Sequence, residues 1–254
     1  MKTLPEVQAV AADTSGLQVI YEDNHLLVVN KPAGLATMGA LPHVPTALDL
    51  ARQYIAHRYN KPGAVYLGVV SRLDSAVSGV LIFARTSKAA ARLSAQFRDR
   101  TTRKTYLALT SQPPEQPAAL IECWLRRDEE KYLTVVARPN EPGAQHSSLE
   151  YRVLGQGRSH ALLAITPHSG RKHQIRAQMQ ALNIPILGDR KYGSDTAFPN
   201  GIALHALSLQ FRHPVLPELL TISTLPPAPW PAWALAVIGQ EFCLSPVTRL
   251  PLPG

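Results

Sequence analysis

Apolar positions along this chain fall into short strand-like runs, interrupted by a few stretches with helical spacing. Val19 to Asp23 and His25 to Val29 read as two strands around a turn at Asp23-Asn24. Thr46 to Tyr59 has helical periodicity, with Leu48, Ile55 and Tyr59 among the positions expected to be buried. Two β-rich runs follow, Val65 to Val70 and Val77 to Ala84. Their weak alternation predicts strands covered on both faces, so Ser71 to Ala76 must join two central strands. Polar groups held on such a joint by a rigid scaffold are well placed for chemistry.

Ser87 is expected to cap a helix that runs to about Arg98, with Ala89, Leu93 and Phe97 as its core stripe. Thr102 to Thr110 reads as a strand. Ile121 to Leu125 pairs with Tyr132 to Ala137 as one hairpin, and Ser148 to Leu154 with Ala161 to Thr166 as another. Ser169 is expected to cap a helix from Arg171 to Leu182 that buries Ile175, Met179 and Leu182. Strands at Ala203 to Phe211 and Leu220 to Ser223 complete the set. The Pro-rich stretch from Leu225 to Trp233 cannot continue a sheet, and a short helix at Ala234 to Ile238 is expected to pack back. Hairpins with helices between them predict an α+β fold with a largely antiparallel sheet. The expected division is a flexible segment 1–16, a main domain 17–225 and a Pro-rich extension 226–254.

Charge narrows the choice of partner. The 254 residues carry 26 Lys and Arg against 18 Asp and Glu, a net charge of +8. That balance favours a polyanion, through counterion release at each neutralised phosphate, but does not separate nucleic acid from an anionic membrane surface. Cys123 and Cys243 are too few and too far apart for a disulfide framework or a Cys-rich zinc site, and they fit a reducing compartment. Met1 to Gln18 lacks the apolar run of a signal peptide, and no stretch has the apolar length of a membrane helix, so the expected location is the cytoplasm.

Three constellations could carry chemistry. The first is Ser71-Arg72-Leu73-Asp74-Ser75-Ala76-Val77-Ser78-Gly79. An acid between buried strands needs cationic or hydrogen-bonding partners; the bland alternative is a turn aspartate satisfied by backbone donors. The second is Ser169-Gly170-Arg171-Lys172-His173-Gln174-Ile175-Arg176, where Lys172 and Arg176 would share a helical face, or simply form a solvated basic one. The third is Arg103-Lys104-Thr105-Tyr106, which directs Lys104 and Tyr106 to the same side of a strand. Tyr106 there could stack on a base or be ordinary half-buried core. Ser169 and Lys172 also match the Ser-x-x-Lys pattern of acyl-transfer enzymes, without the companion motifs such enzymes carry. The nine histidines show no metal-ligand spacing, and there is no Gly-rich phosphate loop.

In order along the chain, Leu27-Val28-Val29-Asn30-Lys31-Pro32-Ala33-Gly34-Leu35, Arg72-Leu73-Asp74 with Ser78-Gly79, Lys104-x-Tyr106, Gly170-Arg171-x-His173-Gln174-Ile175-Arg176, Gly188-Asp189-x-x-Tyr192-Gly193, and Leu204-His205-Ala206 through His213-Pro214 resemble the motifs of the RluA family of pseudouridine synthases. The match covers about residues 17–225. The resemblance implies a central, mostly antiparallel mixed sheet flanked by helices and loops, with a basic active-site cleft. It implies an RNA substrate, ribosomal or transfer RNA, and a uridine isomerisation that exchanges no electrons and needs no cofactor or metal. By the same resemblance Asp74 is the nucleophile, Tyr106 packs on the target base and Arg176 pairs with the aspartate. Ile175 lines the pocket and Arg72 fills the space left by the flipped nucleotide. Lys104, Arg171, His173 and Gln174 are further substrate-binding positions. Ser71 and Gln178 stand where the family pattern has His, and Val77 where it has Thr, which bears on substrate positioning. The helical RNA-binding domain that precedes the catalytic domain in many relatives is not expected here. A monomer is expected, gripping RNA through its own basic residues, with Lys88, Arg92, Arg98, Arg100, Arg103, Arg171 and Arg190 as candidates for phosphate contacts. The rival expectation is a non-catalytic RNA-binding or RNA-folding protein on the same scaffold.

Overall fold

A computed structural model describes residues 17–227, 229–242 and 244–252. The expectation for residues 1–16 lies outside them, as does Cys243. Twelve strands form one sheet among the described residues. Its main path runs β1 (Gln18–Glu22), β2 (Leu26–Lys31), β4 (Ser78–Ala84), β10 (Leu204–Arg212), β5 (Arg103–Thr110), β9 (Ala161–Pro167), β8 (Gln145–Gln156), β6 (Ala118–Asp128) and β7 (Leu133–Ala137). Branching from it are β3 (Gly68–Val69) on β4, β11 (Glu218–Ser223) on β10, and β12 (Val247–Pro251) on β11. The pairings are antiparallel apart from β4 with β10, which is parallel at Ser78 with His205 and Gly79 with Ala206. The class is α+β, as the hairpin pattern implied.

Packing explains where the pattern was readable. Every residue of β4 is buried, so its run of apolar residues has no alternation to show. Helix α1 (Ala47–Arg58) starts at a reciprocal cap between Thr46 and Asp49, and buries Leu48, Tyr54 and Ile55 against β2 and β4. Helix α2 (Ser87–Arg98) buries Ala89 and Leu93 on the opposite face of the same strands. The largest core lies between β5, β8, β9 and β10 and the helices α3 (Gln174–Ala181) and α4 (Ala232–Glu241).

Several expectations need correction. Thr86, not Ser87, caps α2 by accepting from the Ala89 N–H. Tyr59 is the exposed C-cap of α1, and its hydroxyl donates to Glu22 rather than entering the core. Only Gly68–Val69 of the Val65–Val70 run pairs, because Tyr66 faces solvent and Leu67 turns inward onto the α1 cluster. Helix α3 begins at Gln174 instead of Arg171; Arg171 to His173 form a tight turn, with His173 in the left-handed region at φ 52°, ψ 22°. Lys172 is therefore exposed while Arg176 is buried, and they share no helical face. Beyond the prolines the chain returns to the sheet. Helix α4 inserts Ala234 and Ile238 into the main core, and β12, which the sequence pattern did not reveal, pairs with β11.

Candidate active site

The parallel joint between β4 and β10 shapes the loop ahead of it. Gly79 has φ +119°, and a Cβ there would collide with the Ala206 backbone, so glycine is what lets the two strands meet. The loop entering β4 is anchored at several of its peptides. Thr37 Oγ1 donates to the Leu73 carbonyl (2.8 Å) and accepts from the Leu73 N–H (3.1 Å). The Gly34 N–H donates to Ser75 O (2.8 Å), and Val77 N–H closes a turn onto Asp74 O (3.1 Å). Lys31 lies fully buried beneath, donating to the carbonyls of Pro32 (2.8 Å), Leu35 (2.7 Å) and Ser75 (3.2 Å). Burial pushes its amine down to about 8, against the attraction of Asp74. The backbone that presents Asp74 is thus held from three directions.

Asp74 meets its cation across the sheet. Arg176 Nη1 donates to Asp74 Oδ2 at 3.1 Å, while Nε and Nη2 form a forked pair with Asp189 at 2.7 and 2.8 Å. The guanidinium also lies 4.8 Å from the centre of the Tyr192 ring. Burial works against its charge, but Asp189 and then Asp74 more than offset this and hold the group firmly protonated. The side chains of Arg176 and Asp189 are 7% and 1% exposed, whereas that of Asp74 is 27% exposed. One carboxylate is sealed in as a clamp and the other looks out into open space. Asp189, Tyr192 and Lys31 all stand in the segments that prompted the resemblance, but their part in the site was not foreseen.

That space is a cleft of about 780 Å³. Asp74, Arg72, Lys104, Tyr106, Arg171, His173, Gln174, Ile175 and Arg176 all line it, so the residues expected to react with or hold the base converge there. Tyr106 is placed by β5, opposite Ala206 of β10 and Ile165 of β9. Burial and then the charge of Asp74 push its phenol upward, so it stays protonated. Lys104 lines the wall with its amine lowered by burial. Gln174 faces inward: its Oε1 accepts from Ser169 Oγ (2.8 Å) and Arg171 N–H (3.0 Å), and its Nε2 donates to Ser148 O (3.0 Å). Those bonds commit Ser169 to the turn, and with Lys172 exposed the acyl-transfer pairing does not form. Arg98, Arg100, Arg103 and Arg171 line the cleft together with Arg72 and Lys104, whereas Lys88, Arg92 and Arg190 lie outside its lining. A carboxylate oriented by a guanidinium, beside a tyrosine and an isoleucine in a basic cleft, can act as nucleophile or base toward a flat, polyanion-borne ring.

Residues 25–181 match the family model described as RNA pseudouridylate synthase. The chain is 31% identical over 230 residues to the uncharacterized RNA pseudouridine synthase YhcT of Bacillus subtilis, covering 89% of this chain and 73% of that protein. It is 33% identical over 204 residues to the dual-specificity RNA pseudouridine synthase RluA of Vibrio vulnificus, covering 78% of each. Among solved structures, human RNA pseudouridylate synthase domain containing 4 aligns with a TM-score of 0.69 at 24% identity, over 87% of this chain and 92% of that one, a likeness of fold.

Proposed function

The chain belongs to the RNA pseudouridylate synthase family, as an RluA-type RNA pseudouridine synthase, and from that premise we propose that it isomerises a particular uridine in structured ribosomal or transfer RNA with Asp74 as its nucleophile. The observation that carries the assignment of Asp74 is its carboxylate at 3.1 Å from Arg176, partly open to a cleft wide enough for a pyrimidine nucleotide. The catalytic unit is taken as residues 17–225, with 226–254 as an extension that adds α4 and β12 to it.

The reaction replaces the N1–C1′ bond of uridine with a C5–C1′ bond, and the proton lost from C5 is balanced by one gained at N1. The carboxylate can add to carbon 6 of the uracil, attack the sugar, or start the reaction by taking a sugar proton. Each route needs the carboxylate aimed at its target, and the hydrogen bond from Arg176 Nη1 fixes its orientation. The target base must leave its stack, at a cost of a few kcal/mol. Stacking on Tyr106, contact with Ile175 and occupation of the vacated space by Arg72 would offset that cost. Asp74→Asn keeps the shape and removes the charge. It is expected to reduce pseudouridine formation by a factor on the order of 10³ or more while RNA binding persists. Turnover near wild type in that variant would refute the assignment, and mapping pseudouridines in RNA from a deletion strain beside its parent would identify the target.

A further inference from the structure

The donors around Asp74 are gathered on one oxygen. Arg176 Nη1 donates to Oδ2 at 3.1 Å, and His173 Nε2 faces the same atom at 3.7 Å. Among the described residues no donor is bonded to Oδ1. Which proton His173 presents follows from its other nitrogen. The Thr134 N–H donates to the Tyr192 oxygen (2.9 Å), and that oxygen lies 2.9 Å from His173 Nδ1. Were Nδ1 the donor, Tyr192 would receive protons from both the Thr134 backbone and His173, and among the described residues no hydrogen-bond acceptor is found for its own. The consistent arrangement has Tyr192 donating to Nδ1, which leaves the proton of a neutral ring on Nε2, toward Asp74.

We propose that His173 is a positioning residue for the reaction: locked in its Nε2–H tautomer by Tyr192 and Thr134, it aims a second donor at the Asp74 oxygen already held by Arg176 and leaves the other oxygen free to react. The proposal rests on Asp74 being the nucleophile. A neutral donor suits the task, since an imidazolium would place another full positive charge beside the carboxylate and blunt its reactivity. Burial, helped by Arg176, Lys172 and Lys191, pushes the ring down to about 4 against the opposing pull of Asp74. The backbone contributes too, because His173 sits at φ 52°, a conformation costly for most side chains, and this turn delivers the ring to the cleft. The 3.7 Å separation is longer than a hydrogen bond and is expected to shorten when substrate fills the site.

The test joins spectroscopy to two substitutions. Nitrogen-15 spectra of the histidine-labelled wild-type protein near neutral pH should show His173 uncharged with its proton on Nε2; a charged ring, or a proton on Nδ1, overturns the proposal even if no variant folds. Gln can place an amide N–H near the Nε2 position, whereas Asn reaches only to that of Nδ1 but tolerates left-handed backbone better. His173→Gln is therefore expected to keep kcat within about tenfold of wild type, and His173→Asn to lose a further ten- to hundredfold in kcat, roughly the worth of one hydrogen bond to a charged group. Asn performing as well as Gln would mean that only the turn matters and would defeat the proposal. Asp74→Asn separates the two readings: turnover that survives it strikes down the nucleophile, while the tautomer and the Gln–Asn order judge His173.

Discussion

Two aspartates share Arg176, and their surroundings give them different work. Asp189 is sealed beneath the guanidinium and takes two of its hydrogen bonds, so it neutralises a charge that could not otherwise stay buried. Asp189→Ala is expected to lower unfolding free energy by about 3–5 kcal/mol in urea titrations, the usual cost of stranding one member of a buried pair. A loss below about 1 kcal/mol would show that Arg176 finds other compensation. Tyr106 tests a different contact. If the ring stacks on the extruded base, Tyr106→Phe keeps the stacking and Tyr106→Leu loses it, so single-turnover rates should fall further for Leu, and the reverse order would remove the stacking role. That Asp74, Tyr106 and Arg176 would face one cleft was legible in the sequence because their motifs stand in order along the chain. Asp189 and Lys31 were equally visible as letters, but a buried partner is chosen by folding. Nothing in Gly188-Asp189 says that its carboxylate will meet a guanidinium from α3.

At the scale of elements the site hangs on the parallel joint of β4 and β10. Ser78 Oγ and His205 Nδ1 are 2.9 Å apart across it, and His205 Nε2 is 2.9 Å from Thr224 O, so the neutral ring donates to Thr224 and accepts from Ser78. Burial pushes His205 down to about 4. An unfolded chain would bind this proton near 6.5, so between about 6.5 and 4 the unfolded state holds more protons than the native one. Its contribution to stability is therefore complete above about 6.5 and is lost as pH falls toward 4. His205→Gln should flatten melting temperature against pH across that window, and an unchanged slope would mean that other groups dominate. This joint was half legible: the unbroken apolar run of β4 announced a central strand, but not which strand would pair with it. Helices α1 and α2 were readable from periodicity, although Thr86 rather than Ser87 caps the second. The start of α3 was not, because Gln174 satisfies the turn that Ser169 was expected to cap, and a side chain that folds back five residues leaves no periodic trace. Strand β12 was hidden for a related reason, since Val247–Pro251 is short, half exposed and, among the described strands, pairs with β11 alone.

For the whole molecule the question is whether excess charge or its placement draws RNA in. A net charge of +8 would attract any polyanion, yet the arginines divide into those lining the cleft and those elsewhere. Arg98 and Arg100, exposed at the end of α2, line the cleft, whereas Lys88 at the start of the same helix and Arg190 lie outside its lining. Arg92 is a poor probe because its guanidinium donates to Pro214 O (2.6 Å), so removing it would disturb the loop after β10. Converting Arg98 and Arg100 to Gln therefore removes the same charge as converting Lys88 and Arg190, but from a different place. If each cleft arginine meets a phosphate, the first pair should lower the slope of log affinity against log salt by about 1.5, from roughly 0.7–0.9 per contact, and weaken binding at low salt. The second pair should leave that slope nearly unchanged. Equal effects would mean that net charge alone governs encounter, and the cleft would then owe its selectivity to the shape around Asp74 and Tyr106.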